Sequence, residues 1–236
     1  MAGSVDEITF PEARSVRFLF RGQMLHVAAA VILASVAWAL AVPALGDGSW
    51  LGVTDTAWFW AGLGIGIVHQ LYVWLTFRGQ LGWGILTRWF GERDLTVHGL
   101  LFFPMLIARP VVVVAAGLAD PFTLALPRWL ELVFGVGLLV PALYTGWSIV
   151  RYFGLKRALG GDHFRGTFRE TPLVDEGAFR WTPNAMYTFA FLGLWSLAFL
   201  LSSHVALVVA LFQHAFVWAH YLGTERPDME LIYGDN

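Results

Sequence analysis

The sequence reads LVDEGAFRWTPNAMY from Leu173 to Tyr187 and, after a long apolar run, HYLGTERPDMELIY from His220 to Tyr233. The 44 residues from Trp181 to Thr224 contain no Asp, Glu, Lys or Arg. At about 1.5 Å of rise per residue they form about 66 Å of helix, roughly twice the hydrocarbon core of a bilayer. The sequence therefore predicts a hairpin of two membrane helices with a tight turn at residues 202–204. Its two polar ends then meet at one membrane face.

The composition is that of an integral membrane protein. Apolar residues make up 57% of the chain and charged residues 14%, against about 25% charged residues in soluble domains. The absence of cysteine excludes disulfides and thiolate metal sites, and a net charge of −2 argues against a nucleic-acid partner. His69, His214 and His220 lie on apolar spans without metal-ligand spacing. We predict no metal site and expect these histidines to be hydrogen-bonded core residues.

Six apolar spans divide the chain, and together they predict an all-α, polytopic integral membrane protein with about six transmembrane helices. Four precede the hairpin: Gly22 to Gly46, Thr56 to Phe77, about His98 to Leu118, and about Leu132 to Val150. Thirteen of the 15 basic residues fall in the termini and in alternate loops. Because short cytoplasmic loops are enriched in Lys and Arg, both termini are predicted to be cytoplasmic. We expect a bacterial inner membrane, with two accessory helices in residues 1–97 and a four-helix core in residues 98–236.

The two polar segments resemble motifs of the membrane methyltransferases that use S-adenosylmethionine. GAFRWTPNAMY, a helical hairpin and TERPDMELIYG are similar to the phospholipid branch of that superfamily, over roughly residues 134–234. Asn184, Met186 and Tyr187 match an NPMY-like motif in which Ala185 replaces the proline. Glu225 matches the first residue of a glutamate pair, and an arginine occupies the second position. The resemblance implies a methyltransferase whose last four helices form the core.

The resemblance also implies S-adenosylmethionine as the cofactor. This molecule carries a carboxylate, an ammonium and a sulfonium, all of which require partners in apolar surroundings. Arg180 and Asn184 are candidates for the carboxylate, and Glu225 is a candidate for the ammonium. Tyr187 is expected to face the sulfonium through a cation–π interaction. Taken singly, each of these residues is an ordinary membrane-interface residue, so their combination carries the prediction.

Further cofactor and catalytic candidates lie in the same region. Gly135 and Gly137 resemble the family's Gly-x-Gly cofactor motif, although small residues in membrane helices also serve close helix packing. Glu225 is the first candidate for the general base that an ammonium acceptor requires, and His163 is the second. Glu225 is equally a candidate for the partner of the cofactor's ammonium, and the sequence leaves both roles open.

Three arginines are candidates for a lipid phosphate. Arg109 is the one basic residue well inside a span. A charged residue at that depth is costly, so it is by default a candidate for a functional role. We expect it to bind a lipid phosphate or the cofactor carboxylate, and the alternatives are a structural pair with Glu131 or snorkelling toward the nearer interface. Arg165 and Arg169, in the long fourth loop, are the other two candidates for binding a lipid substrate.

The predicted function is therefore transfer of a methyl group to a lipid amine, with phosphatidylethanolamine and its methylated derivatives as the expected acceptors. The related isoprenylcysteine branch shows Arg-His-Pro where this chain has Pro183, Asn184 and Ala185, which favours the phospholipid branch. The same cofactor with an isoprenylcysteine carboxylate, a small thiol or another lipid is the alternative. A non-enzymatic transporter is the alternative from another class, and the near isolation of Arg109 among intramembrane charges disfavours it.

Overall fold

Each long apolar run of the sequence is a helix in the computed structural model, which describes residues 5–234. Helices satisfy every backbone N–H and C=O within one segment, as a lipid environment requires. Within the described residues, five helices are long and apolar enough to cross a membrane: Val16–Ala41, Asp55–Trp83, Ile85–Ala119, Arg128–Phe153 and His204–Tyr233. A shorter apolar helix, Met186–Leu200, completes the hairpin. The prediction of an all-α, polytopic membrane protein is confirmed.

The helices of the described chain are numbered in order. They are α1 Val5–Ile8, α2 Val16–Leu19, α3 Gln23–Ala41, α4 Asp55–Trp83, α5 Ile85–Phe90, α6 Asp94–Ala119, α7 Arg128–Ser148, α8 Leu155–Ala158, α9 Gly161–Phe164, α10 Gly166–Arg169, α11 Leu192–Leu200, α12 His204–His220 and α13 Arg226–Tyr233. Short 3₁₀ turns cover Pro11–Ala13, Gly91–Arg93 and Gly177–Arg180, and π-helical turns cover Ile149–Phe153, Met186–Ala190 and Tyr221–Glu225. Two short strands, β1 Ser49–Trp50 and β2 Val53–Thr54, pair antiparallel between α3 and α4.

Side-chain caps fix where two of the long helices begin. The Thr54 hydroxyl accepts a hydrogen bond from the amide of Ala57 at 3.2 Å, which starts α4. The Ser203 hydroxyl accepts one from the amide of Ala206 at 3.0 Å, which starts α12. Each cap satisfies an amide that has no partner inside the first helical turn. The hairpin turn therefore lies immediately before α12, and its predicted position is confirmed.

Helix α12 lies at the centre of the bundle and packs against α3, α4, α6 and α11. The contact with α4 is close because Gly62 has no side chain. A Cβ at this position would lie 2.5 Å from the Cγ1 atom of Val209. Helices α3 and α4 thus pack directly on the C-terminal hairpin. The division of functions at residue 97 stays a prediction.

The described ends of the chain lie at one face of the bundle and the hairpin turn at the other. The Nη2 atom of Arg21 lies 3.7 Å from the Oε2 atom of Glu230. Arg169 of the fourth loop donates a hydrogen bond to the carbonyl of Ile8 at 2.8 Å. At the opposite face the imidazole of His204 lies 2.9 Å from the carbonyl oxygen of Leu40. The first face thus collects the segments that carry most of the basic residues.

Candidate active site

The two motifs of the sequence meet at a hydrogen bond between Tyr187 and Glu225. The tyrosine hydroxyl donates to the Oε1 atom of the carboxylate. Both residues lie in π-helical turns, Met186–Ala190 and Tyr221–Glu225. A π-helical turn inserts an extra residue into a helix and is frequent at functional sites. The hairpin thus brings its two polar ends together, as the sequence predicts.

An aromatic wall surrounds the hydroxyl end of this pair. The ring of Tyr187 lies 6.4 Å from that of Phe191, 6.1 Å from that of Trp218 and 6.0 Å from that of Tyr221, centroid to centroid. Aromatic faces attract a cation within about 6 Å of their centroids, and burial strengthens the attraction. Next to the carboxylate of Glu225, this wall suits a positively charged ligand.

Two buried histidines extend the site toward α3. The Nε2 atom of His220 lies 3.8 Å from Oε1 of Glu225, and its ring centroid lies 5.4 Å from that of His26. Among the described residues neither ring nitrogen of His220 has a hydrogen-bond partner. The Nδ1 atom of His26 lies 3.0 Å from Oε1 of Gln23, whose amide donates to the hydroxyl of Thr224 at 3.1 Å. Helix α3 therefore contributes directly to the surroundings of Glu225.

Arg109 is a buried cation beside the same aromatic wall. Its Nε donates to Nδ1 of His69 at 3.1 Å, and its guanidinium carbon lies 5.3 Å from the ring centroid of Phe191. No acidic side chain in the described part of the chain pairs with it, and its Nη1 atom has no hydrogen bond there. Glu131 forms an ion pair with Arg128 at 3.0 Å instead. The predicted alternative of an Arg109–Glu131 pair is therefore wrong, and Arg109 is left with the potential to bind an anion.

A buried ion pair closes the site at the end near the chain termini. The Nε atom of Arg78 donates to Oδ1 of Asp228 at 3.0 Å, and both side chains are fully buried. The Nε2 atom of His163 lies 3.5 Å from the other oxygen of Asp228, and its ring stacks on Phe77 with 3.9 Å between centroids. His163, the second candidate base, thus faces Asp228 and makes no hydrogen bond to Glu225.

The structure packs Gly135 against a part of the hairpin distant from the Tyr187–Glu225 pair. A Cβ at Gly135 would lie 2.7 Å from the side chain of Leu200, whereas one at Gly137 would meet no atom within 4 Å. Leu200 lies 13 residues beyond Tyr187, which is about 20 Å along a helix. The contact supports the close-packing alternative for Gly135.

Asn184 and Arg180 differ in how they relate to the pair. The carbonyl of Asn184 accepts a hydrogen bond from the amide of Tyr187 at 3.0 Å, so it leads directly into the π-helical turn. Arg180 is exposed at the end of a 3₁₀ turn, and no hydrogen bond or ion pair joins it to another described residue. The structure therefore places Asn184 next to the site and leaves Arg180 exposed.

The two loop arginines are held by the protein. Arg165 forms a bidentate salt bridge with the carboxylate of Asp94, with N···O distances of 2.8 and 2.5 Å. This hydrogen bonding raises the pKa of Arg165. Arg169 donates to the carbonyls of Asp162 and Ile8, both at 2.8 Å, and burial lowers its pKa. Both arginines therefore anchor the fourth loop, and Arg165 remains partly exposed.

The buried polar residues of this interior divide into those named from the sequence and those that the sequence analysis missed. Each lies inside a membrane helix, where a polar residue is itself a detectable signal. His214 lies 2.7 Å from the carbonyl oxygen of Tyr187, and His69 accepts from Arg109, as expected of hydrogen-bonded core histidines. His220 does not follow that expectation. The residues missed altogether are His26, Arg78, His98 and Asp228.

The site and the fold define a membrane protein with a polar interior enclosed by apolar helices, and one family model matches its C-terminal part. The family described as phospholipid methyltransferase matches residues 130–236, which include both motifs and the hairpin. The resemblance to phospholipid methyltransferases is therefore confirmed for this part of the chain.

Individual relatives match over a similar share of the chain. The chain is 30% identical to the phosphatidylethanolamine N-methyltransferases of Candida dubliniensis and Scheffersomyces stipitis, in each case over 109 residues that cover 44% of this chain and 12% of the relative. It is 32% identical to the enzyme of that name from Arthroderma otae over 106 residues, covering 44% of this chain and 11% of the relative. The match thus spans about one eighth of these much longer proteins. No solved structure shows significant similarity to the chain.

Proposed function

We propose that this protein is an integral membrane methyltransferase that moves a methyl group from S-adenosylmethionine to the amine of a phospholipid. Phosphatidylethanolamine and its methylated derivatives are the proposed acceptors. The observation that carries the proposal is the Tyr187–Glu225 hydrogen bond. It joins the two halves of the matched motif inside a polar interior, where a soluble cofactor and a lipid headgroup can meet. The names of the fungal relatives support the choice of acceptor.

The side chains around this bond fit the proposed cofactor. When bound, S-adenosylmethionine supplies an electrophilic methyl group on its sulfonium. Arg109 offers its unbonded Nη1 atom to the carboxylate, and Glu225 offers an oxygen to the ammonium. The rings of Tyr187, Phe191 and Trp218 offer a face to the sulfonium. We place Arg109 on the cofactor because the Phe191 ring contacts both its guanidinium and Tyr187.

The chain's own residues also account for the proton that an ammonium acceptor must lose before it attacks. Glu225 is the proposed proton acceptor, since its carboxylate already accepts from one hydroxyl and lies at the centre of the site. His220, 3.8 Å from the same carboxylate and without a hydrogen bond of its own among the described residues, is a second group able to take a proton. The enclosing apolar helices exclude water and hold the reacting groups in one geometry.

We further propose that the face carrying the chain termini is cytoplasmic and that the membrane is a bacterial inner membrane. The support is the distribution of basic residues, of which 13 of 15 lie in segments at that face. A cytoplasmic site would meet soluble cofactor directly.

The test is cofactor binding to purified protein in lipid nanodiscs, measured by isothermal titration calorimetry. We expect Glu225→Gln to weaken binding of S-adenosylmethionine by about tenfold or more, because each lost tenfold corresponds to about 1.4 kcal/mol and a charge-assisted contact contributes about 1.5–3 kcal/mol. Glu230→Gln, at an exposed ion pair, is the matched control and should bind as the wild type does. Equal affinities in all three proteins would contradict the assignment of Glu225.

A further inference from the structure

A long concave groove of about 1510 Å³ lies outside the Tyr187–Glu225 site, between α6 and the fourth loop. Its apolar wall is one face of α6, formed by Leu100, Phe103, Pro104 and Ile107. These positions recur at helical spacing, so they form a continuous stripe along the helix. Leu100 is 69% exposed and Ile107 is 60% exposed, which leaves the stripe open to a ligand from the side.

Charged side chains of both signs line the groove, and two of them, Glu92 and Arg165, lie where α6 begins. Arg165 and Lys156, the chain's single lysine, supply the positive charge. Glu92 and Glu170 supply the negative charge, and both are exposed. An apolar channel that ends in mixed charges at the membrane interface is complementary to a lipid whose headgroup carries a phosphate and an ammonium.

Helix α6 also contains a proline where it lines the groove. Pro104 lies inside α6 and has no amide hydrogen, so the carbonyl of Leu100 lacks its usual helical partner. Both residues line the groove. The helix therefore has one i→i+4 hydrogen bond fewer where it lines the groove.

One layer of side chains separates the groove from the polar interior. Leu159 lines the groove and packs in one apolar cluster with Phe77 and Phe164. On the other side of that cluster Phe77 stacks on His163, and the Phe164 ring centroid lies 5.2 Å from that of His98. A headgroup at the charged end of the groove is therefore adjacent to the interior that contains the candidate site.

From this arrangement we propose that the groove binds a zwitterionic glycerophospholipid taken laterally from the bilayer. Its acyl chains lie along α6, its phosphate faces Lys156, and its ammonium faces Glu92 and Glu170. The inference rests on the proposed function, because it identifies the groove as the place where the lipid substrate is held before methylation.

The experiment uses photocrosslinking, whose readout does not require methyl transfer. The full-length protein is reconstituted in vesicles that contain a phosphatidylethanolamine with a diazirine on one acyl chain, and labelled peptides are mapped by mass spectrometry. Labelling should concentrate on residues 95–107. Leu100→Trp fills the groove at an exposed position and should lower that labelling by about tenfold, as a steric block does when it removes a bound state.

The controls separate this proposal from the function on which it rests. Leu101→Trp, at a lipid-facing position of α6 outside the groove and 53% exposed, should label as the wild type does. A matching diacylglycerol probe, which lacks the headgroup, and a phosphatidylglycerol probe should label the groove less. Equal effects of the two tryptophan substitutions, or equal labelling by all three probes, would contradict the proposal that the groove binds this lipid. Concentrated labelling without any methylated lipid would overturn the proposed function and leave the binding site standing.

Discussion

The ion pair between Arg78 and Asp228 provides a quantitative test of how the N-terminal helices are tied to the candidate site. Replacement of Asp228 by Asn removes the charge that neutralises Arg78 while it keeps the size of the side chain. Both partners are fully buried, at 3.0 Å. The change therefore leaves a fully buried guanidinium without a counter-ion.

The expected loss of stability follows from that burial. Removal of one partner of a buried ion pair costs about 3–5 kcal/mol, because the remaining charge is desolvated without compensation. For a chain of this size that loss lowers the melting temperature by about 6–20 °C. Arg78→Met should cost more, because the guanidinium also donates to backbone carbonyls of the N-terminal segment and of the π-helical turn before Glu225: those of Phe18, Leu19, Arg21 and Gly223.

The assay is thermal unfolding of the detergent-solubilised protein, followed by circular dichroism. Glu230→Gln is the control, since it breaks an exposed pair with Arg226 at 3.1 Å and such pairs contribute about 0–1 kcal/mol. If Asp228→Asn lowers the melting temperature no more than Glu230→Gln does, the buried pair does not hold α4 to α13, and the reasoning is refuted.

Three further outcomes follow from the structure. Arg109→Met should weaken cofactor binding by about tenfold or more in calorimetry, because the cofactor carboxylate loses its cation. Arg109→Lys should recover part of the affinity, and unchanged affinity in Arg109→Met would contradict the proposed role. Gly135→Val should destabilise the protein by about 1–3 kcal/mol in thermal unfolding through its contact with α11, while Gly137→Val should be neutral, and equal effects would refute the packing role. Phe122 and Leu173 are exposed at opposite faces of the bundle. In intact cells an impermeant thiol reagent should label Phe122→Cys and leave Leu173→Cys unlabelled, and the reverse pattern would contradict the proposed topology.

The sequence predicted the helices because membrane spans depend on a local property. Charge-free length is read directly from consecutive residues, so the hairpin and its turn before His204 were found with their approximate boundaries. The meeting of Tyr187 and Glu225 follows from the same pattern, because a tight hairpin returns its ends to one face. Here local composition determined the long-range contact.

The rest of the interior depends on contacts between distant segments. Arg78 lies 150 residues from its partner Asp228, and Arg165 lies 71 residues from Asp94. Nothing in either local pattern specifies such a partner, so the sequence offers Arg165 as a candidate for a lipid phosphate and does not show that the fold pairs it with a carboxylate. The neighbour against which Gly135 packs is left open by the sequence for the same reason. A Gly-x-Gly pattern does not reveal which neighbouring helix faces it.

The measurement that tests the central proposal most directly is identification of the methylated product. Purified protein is incubated with methyl-labelled S-adenosylmethionine in vesicles of phosphatidylethanolamine, and the lipids are analysed by mass spectrometry. We predict labelled mono-, di- or trimethylated phosphatidylethanolamine with the wild type and loss of that label in Glu225→Gln. Label that appears in a small thiol or a prenylcysteine acceptor, and never in the lipid, would contradict the proposed substrate; transfer to no acceptor at all would contradict the proposed activity.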